Sequence, residues 1–242
     1  YILILKLTLN CRTFMSLKKN LTGTSFLHHK KPEKLIFMLH GYGDSAENFI
    51  HIANPLDQVE WKANYIALNA PSPIFNYPQG RQWFNLYPNG IYITDVGSNE
   101  MEIIRKEILE GLQLIENTIK KTKDENNLSF KDCILLGFSQ GGMMAFEFGN
   151  YFKENLGGLA ILSGRIISEE KIINKALKKT PIFISHGSED EVLPIKLFEL
   201  SCMYLKKNDL AFESHNLNGD AHTISPRTIK LLQKFIKKNF MI

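Results

Sequence analysis

The chain contains 242 residues, of which 44% are hydrophobic and 22% are charged, and its formal net charge is +4. This length allows one substantial core, and the composition is that of a packed soluble protein rather than a disordered, collagen-like or membrane-bundle chain. The lysines are scattered and form no long basic run, which indicates solvated faces and predicts no nucleic-acid partner.

The chain opens on an apolar stretch, Tyr1 to Leu9, that is too short to span a bilayer and lacks the basic flank and cleavage site of a secretory signal. We therefore predict no integral membrane segment. Because Met15 follows shortly, we expect residues 1–14 to be a non-native or disordered N-terminal extension. Residues 15–242 are expected to form a single domain.

The cysteines, Cys11, Cys133 and Cys202, are odd in number and too far apart for a zinc site or a disulfide framework. This usage favours a reducing compartment, and we expect a cytoplasmic protein. Cys133 begins an apolar run, which predicts a small buried core residue rather than a reactive thiol.

Short apolar runs recur along the chain and end near Gly, Pro, Asn or Ser, as is typical of strands buried on both faces of a parallel sheet. The predicted strands are Lys34–Leu39, Asn64–Leu68, Cys133–Leu136, Leu156–Leu162, Pro181–Ser185 and a last candidate, Phe212–Leu217. Helical patterns lie between and after them, at Glu100–Lys121, Gln140–Phe152, Pro194–Lys207 and Ser225–Phe240. This alternation predicts an α/β domain with a mostly parallel central sheet and helices on both faces.

The stretch from Pro71 to Gly97 contains aromatic residues, prolines and glycines without a clean period. We expect a long surface excursion beside the functional site, because long loops in compact domains are often functional. Within it, Trp83 and Phe84 fit core packing and substrate contact equally well.

The segment Gly137-Phe-Ser139-Gln140-Gly141 lies between a predicted strand and a predicted helix, which is the context of a nucleophile elbow. So sharp a turn requires small neighbours and lifts the serine hydroxyl to the helix N-terminus, where the N–H of Gln140 can help hold an oxyanion. We therefore predict Ser139 as the nucleophile of a serine hydrolase.

A serine nucleophile needs a base to take its proton and an acid to hold that base, in the chain order Ser, acid, His. Asp190 follows a predicted strand and is the predicted acid, with Glu189 and Glu191 as solvated neighbours. His222 follows the last strand candidate and is the predicted base.

The other histidines show no metal-ligand spacing, so we expect no metal. His215 lies inside a predicted strand and is expected to be structural. His40 and His186 each precede a glycine at a strand end, where we expect them to orient a loop.

The segment Leu39-His-Gly-Tyr42-Gly-Asp44 follows the first predicted strand, and we predict the Tyr42 N–H as the second oxyanion donor. The same residues also match Gly-x-Gly-x-x-Ala, a dinucleotide-binding fingerprint. That alternative requires an acidic residue at the end of the next strand, where the chain has Leu68-Asn-Ala-Pro71 instead.

From about Lys34 to its end, the chain resembles the phospholipase/carboxylesterase family of α/β-hydrolases, which includes acyl-protein thioesterases and bacterial-type carboxylesterases. The matching segments are Leu39–Asp44, Arg81-x-Trp83-Phe84, Gly137–Gly142, His186–Pro194 and His222. The resemblance implies the α/β-hydrolase fold, a cofactor-free ester or thioester hydrolase, and an acyl pocket lined by Trp83 and Leu193. The chain departs from the family at Asn85, where Asp is usual, and this bears on substrate preference.

These residues predict attack on an ester or thioester carbonyl, followed by hydrolysis of the acyl-enzyme. The candidate substrates are a small-molecule ester, a lysophospholipid and an acyl thioester, and the non-enzymatic alternative is an inactive hydrolase-like binding protein. An apolar pocket mouth in the 71–97 excursion would favour a homodimer or membrane-surface substrates.

Overall fold

The computed structural model of the chain describes residues 20–167 and 173–239. Its strands are β1 (Gly23–Phe26), β2 (Lys34–Leu39), β3 (Ala63–Leu68), β4 (Ser72–Ile74), β5 (Tyr77–Gln82), β6 (Cys133–Phe138), β7 (Gly158–Leu162), β8 (Ile182–Gly187) and β9 (Phe212–Leu217). Seven of these strands form one sheet in the order β1-β3-β2-β6-β7-β8-β9, while β4 and β5 form a separate hairpin. In the sheet, β1 pairs antiparallel with β3, and all other neighbours pair in parallel.

Helices cover both faces of the sheet. They are α1 (Ala46–Phe49), α2 (Ala53–Leu56), α3 (Ser98–Glu125), α4 (Gln140–Tyr151), α5 (Ile195–Lys207) and α6 (Pro226–Asn239). Alternate residues of β2 serve opposite faces: Leu35 and Phe37 join the core with α3, α4 and α5, whereas Ile36 and Met38 join the core with α1, α2 and α6. Each central strand is therefore buried on both sides, which explains its continuous apolar run.

The predicted architecture, a mostly parallel central sheet with helices on both faces, is confirmed, because each predicted strand and helix corresponds to an observed element. Their ends differ from the predictions by a few residues. For example, Pro194 is the N-terminal cap of α5 and not part of its first turn. In the long helix α3, Ile104 is buried while its neighbour Ile103 is 58% exposed.

The prediction of a long surface excursion over residues 71–97 is wrong in part. Its first half forms the β4–β5 hairpin, in which prolines and a glycine obscured the strand pattern. Its second half enters the core, where Trp83, Phe84 and Leu86 are buried. The excursion is therefore anchored in the core by residues 83, 84 and 86, while its hairpin lies mostly exposed at the surface.

Cys133 is fully buried in β6, as predicted, and burial raises the pKa of its thiol to about 12. A thiol with that pKa stays protonated at neutral pH and is a poor nucleophile. Cys133 therefore contributes packing.

The N-terminal extension predicted for residues 1–14 lies outside the described residues, as do Cys11 and Met15. Within the described part of the chain, every helix is too short or too polar to cross a bilayer.

The chain passes from β6 into α4 through a single residue, Ser139, whose φ of 54° and ψ of −119° are rarely adopted by L-residues. A Cβ atom at Gly137 would lie 2.0 Å from the carbonyl oxygen of Gly141, and one at Gly141 would lie 2.1 Å from that of Leu39. The obstructing atoms are backbone atoms of the sheet and the helix, which cannot move aside. Both positions therefore require glycine.

We predict that Gly141→Ala lowers the free energy of unfolding by about 3 kcal/mol, because the added methyl group meets fixed backbone. The matched control is Gly111→Ala in α3, where the methyl group meets the flexible Sδ-methyl end of Met144 at 3.0 Å. There, gained helix propensity of about 1 kcal/mol offsets the crowding. Urea unfolding measures both variants, and equal stabilities would contradict the argument.

Candidate active site

The predicted site residues lie at one edge of the sheet. Ser139 directly follows β6, Asp190 lies three residues after the end of β8, and His222 lies five residues after the end of β9. The loop that holds Tyr42 follows β2. These four strands are parallel, so their carboxyl ends meet at the same edge, where open α/β sheets hold their sites.

His222 is held by Asp190. The Nδ1 atom of His222 lies 2.7 Å from Oδ2 of Asp190, whose other oxygen accepts the backbone N–H groups of Val192 at 2.9 Å and Leu193 at 2.7 Å. Because a carboxylate is only an acceptor, Nδ1 carries a hydrogen, and Nε2 is the ring nitrogen that remains available to another partner. Asp190 is 5% exposed, so the interaction is shielded from water.

The other nearby carboxylates have different surroundings. Glu189 and Glu191 are exposed. Asp220 accepts a hydrogen bond from the Ser225 hydroxyl at 2.6 Å, which holds the pKa of Asp220 below its ordinary value. Of the three acidic residues weighed from the sequence, Asp190 is the one that contacts the imidazole.

The loops after β8 and β9 are fixed to each other by their backbones. A Cβ atom at Gly187 would lie 2.1 Å from the carbonyl oxygen of Asp220, so glycine is required at this crossing too. The N–H of Glu189 donates to the same oxygen at 2.9 Å. The relative position of the Asp190 and His222 loops is therefore set by backbone contacts that do not depend on the carboxylate–imidazole bond.

The residue before Ser139 packs against the imidazole of His222. The ring of this residue, Phe138, lies 4.9 Å from the ring of His222 between centroids, and the His222 side chain is 17% exposed. Among the described residues, the Ser139 hydroxyl makes no hydrogen bond. Serine–histidine bonds often tighten only when substrate is bound, so this geometry fits a resting hydrolase.

Two backbone N–H groups flank the serine. Gln140 is the first residue of α4, so its N–H lies at the positive end of the helix dipole. The loop of Tyr42 comes close to the serine, since a Cβ atom at Gly41 would lie 3.4 Å from Cβ of Ser139. Neither the Tyr42 nor the Gln140 N–H donates to another residue in the described part of the chain.

The side chain of Gln140 has a structural role that the sequence pattern did not reveal. It is fully buried, its Oε1 accepts the backbone N–H of Trp83 at 3.0 Å, and its Nε2 donates to the carbonyl oxygen of Phe84 at 2.7 Å. One amide therefore satisfies two buried backbone groups of the 71–97 excursion and fastens them to the first turn of α4.

The excursion is in turn fastened to the loop after β2. Trp83 Nε1 donates to the carbonyl oxygen of His40 at 2.9 Å. The His40 ring donates through Nδ1 to the Gly41 carbonyl oxygen at 2.7 Å and accepts the N–H of Ala70 through Nε2 at 3.1 Å. Burial lowers the pKa of His40, and the acceptor role of Nε2 also requires the neutral ring. His40 therefore orients this loop, as predicted.

Arg81 completes the attachment. Its guanidinium donates to the carbonyl oxygens of Ala70 and Pro71, and its backbone exchanges hydrogen bonds with Gly43 and Asp44. The two segments that resemble the family before the serine are thus in direct contact with each other.

Trp83 and Leu193, predicted to line an acyl pocket, are 0% and 3% exposed. In this arrangement Trp83 supports the loop after β2, and acyl contact by either side chain stays a prediction. Asn85 accepts the N–H of Tyr87 at 3.0 Å, while its own N–H donates to the Glu107 carboxylate at 2.8 Å. An uncharged residue at position 85 avoids repulsion from Glu107.

The alternatives from other protein classes find little support in the geometry. At the end of β3, the Asn69 side chain accepts the N–H of Ala46 at 2.9 Å, so the donor that a nucleotide phosphate would use is occupied. Within residues 20–167 and 173–239, no three His, Cys, Asp or Glu side chains are grouped so that they could hold a metal ion.

We predict that Gln140→Leu lowers the free energy of unfolding by about 2–4 kcal/mol, because it leaves a buried N–H and a buried carbonyl group without partners. The control is Gln113→Leu on the exposed face of α3, where the change is expected to be within about 0.5 kcal/mol. Urea unfolding distinguishes them, and a stable Gln140→Leu variant would show that the bonds to residues 83 and 84 are dispensable.

The chain is similar in sequence to known thioesterases and carboxylesterases. The chain is 29% identical over 209 residues to acyl-protein thioesterase 1 homolog 1 of Dictyostelium discoideum, covering 84% of this chain and 89% of that protein. It is 28% identical over 215 residues to carboxylesterase SOBER1 of Arabidopsis thaliana, covering 84% and 89%. Acyl-protein thioesterase 1 of Saccharomyces cerevisiae is 29% identical over 218 residues, covering 84% and 92%.

Solved structures share the fold. The crystal structure of esterase PE8 superposes with a TM-score of 0.78 at 24% identity, covering 91% of this chain and 99% of that chain. The crystal structure of Arabidopsis thaliana SOBER1 gives 0.72 at 24% identity, covering 85% and 98%. Residues 27–240 match the family model described as Phospholipase/Carboxylesterase. The chain therefore belongs to the phospholipase/carboxylesterase family of α/β-hydrolases.

Proposed function

We propose that this protein is a serine hydrolase that cleaves carboxylic ester or thioester bonds through an acyl-enzyme intermediate. The observation that carries the proposal is the buried contact between Asp190 and His222, 2.7 Å long, at the sheet edge where Ser139 occupies a strained turn. Membership of the family and the names of its thioesterase and carboxylesterase relatives support the same reaction class.

In this proposal Ser139 is the nucleophile, His222 the base and Asp190 the acid of a catalytic triad. The serine oxygen attacks the substrate carbonyl while Nε2 of His222 takes the hydroxyl proton, and Asp190 stabilises the imidazolium that forms. The N–H groups of Tyr42 and Gln140 stabilise the oxyanion. His222 then returns its proton to the leaving alcohol or thiol, and water releases the acid from Ser139 by the same steps.

The surroundings of the proposed oxyanion hole favour an apolar acyl group. The ring of Tyr42 lies 5.8 Å from that of Tyr87, and both are substantially exposed, as are Ile91 and Tyr77 from the same excursion. Phe75 at the hairpin tip is 93% exposed. We infer that acyl thioesters and lysophospholipids are substrates alongside simple esters, and that this face is also where a homodimer would form.

A cytoplasmic location forms part of the proposal. It is supported by Cys133 and Cys202, which are both free thiols. Secreted domains more commonly pair their cysteines.

We predict that Ser139→Ala lowers kcat/KM by at least about 10³-fold, since the nucleophile is lost while binding remains. The assay is hydrolysis of p-nitrophenyl esters from acetyl to palmitoyl, and the preferred chain length separates a short-chain carboxylesterase from a lipid or acyl-protein enzyme. Ser25→Ala, an exposed serine of β1, is the control and should retain full activity. Fluorophosphonate labelling of Ser139 excludes an inactive binding protein, whereas an active, unlabelled Ser139→Ala variant would refute the assignment.

We predict that Asp190→Asn lowers kcat/KM by about 10³- to 10⁴-fold, because an amide can donate to the imidazole and so favour its wrong tautomer. The neighbouring exposed carboxylate provides the control, since Glu189→Gln removes a charge of the same sign without touching His222. Comparable losses in the two variants would mean that Asp190 acts through charge alone.

A further inference from the structure

A second histidine contacts Asp190. His186 is the penultimate residue of β8 and is fully buried. Its Nε2 lies 2.6 Å from the carbonyl oxygen of Leu193 and 3.2 Å from Oδ2 of Asp190, the oxygen that also faces His222. A carbonyl oxygen can only accept, so Nε2 of His186 carries a hydrogen, which it donates to Leu193 and which also lies close to Oδ2 of Asp190.

The other nitrogen of His186 fixes its charge. Nδ1 is buried and has no hydrogen-bond partner among the described residues, and the ring of Phe198 lies 5.7 Å away between centroids. A proton on Nδ1 would place a positive charge in this dry pocket with no acceptor. Burial accordingly lowers the pKa of His186, and the ring stays neutral in a single tautomer.

We propose that His186 is a positioning residue that holds the loop of residues 187–194 closed and weakens the hold of Asp190 on the proton of His222. The proposal rests on the function proposed above. Asp190 accepts three hydrogen bonds, from two backbone N–H groups on Oδ1 and from the His222 N–H on Oδ2. Nε2 of His186, which carries a hydrogen, lies 3.2 Å from the same Oδ2 atom and places the positive end of its N–H dipole beside it.

This placement has a consequence for the reaction. The positive end of the His186 N–H dipole draws negative charge on Oδ2 away from the bond to His222, so Asp190 stabilises the imidazolium less than it would without His186. Removal of this N–H group leaves that charge to His222, which then keeps its proton to higher pH. Because a protonated base is inactive, the acidic limb of the kcat/KM profile moves up.

The remaining charged groups around the pair do not reverse this direction. On the loop of Asp190, Glu189 and Glu191 are exposed to solvent. On the loop of His222, the Asp220 carboxylate is bonded to Ser225 and Arg227. The helix α5 presents an uncharged ring to His186.

The variants His186→Leu and His186→Gln test the proposal. Leucine fills similar space without a donor, whereas the amide nitrogen of glutamine can replace Nε2. We expect His186→Leu to shift the acidic limb of kcat/KM for a p-nitrophenyl ester upward by about 0.5 pH unit, and His186→Gln to restore its position. The exposed His51→Leu variant controls for loss of a histidine elsewhere. A lower rate with an unshifted limb in His186→Leu would overturn the proposal, because a purely structural role predicts that result.

A second measurement needs neither a variant nor activity. In the ¹⁵N-labelled wild-type protein, His186 is expected to show only the Nε2–H tautomer and no titration between pH 5 and pH 8. A charged ring or an Nδ1–H tautomer in that range would overturn the proposal. Since this spectrum is independent of turnover, failure of the proposed hydrolase function would be seen separately in the Ser139→Ala assay.

Discussion

The backbone crossing between β6 and α4 is the constraint on which the site depends. The sheet and the helix approach so closely at Gly137 and Gly141 that a Cβ atom added there would lie 2.0 and 2.1 Å from a carbonyl oxygen. This crowding compels Ser139 to make the whole turn at positive φ, and its N–H is anchored to the Leu162 carbonyl oxygen at 2.9 Å. The backbone therefore fixes the positions of Ser139 and of the first N–H of α4 without the help of other side chains.

Buried hydrogen bonds extend this rigidity to the rest of the edge. The side chain of Gln140 holds the backbone at Trp83, whose indole holds the carbonyl oxygen of His40, next to the loop that presents Tyr42. Each of these groups would cost about 1–3 kcal/mol if left unpaired in the interior, so the connections favour one arrangement over its alternatives. The 71–97 excursion therefore connects the two segments that carry the proposed oxyanion donors and holds them in position relative to each other.

The sequence could predict features that local physics determines and could not predict those that depend on distant partners. The run Lys34–Leu39 predicts a strand, because a strand buried on both faces requires continuous apolar residues. The edge strand β1 is half exposed and polar, and it exists through pairing with β3. The Gln140 side chain joins Trp83 across 57 residues of chain, and the bond from His186 to Leu193 depends on how the loop folds back. In each case the sequence contains the residue but does not indicate which distant group it contacts.

The three histidines at this edge show why one of them suits the role of base. A base must accept a positive charge, which burial opposes unless a carboxylate lies opposite. His40 and His186 are fully buried, and each donates its one ring hydrogen to a backbone carbonyl oxygen. A second proton would go to Nε2 of His40, which accepts from Ala70, or to Nδ1 of His186, which faces no acceptor. His222 alone of the three is partly exposed and directs its ring hydrogen at a carboxylate, that of Asp190. The environments of the ring nitrogens therefore distinguish two histidines that stay neutral from His222, the proposed base.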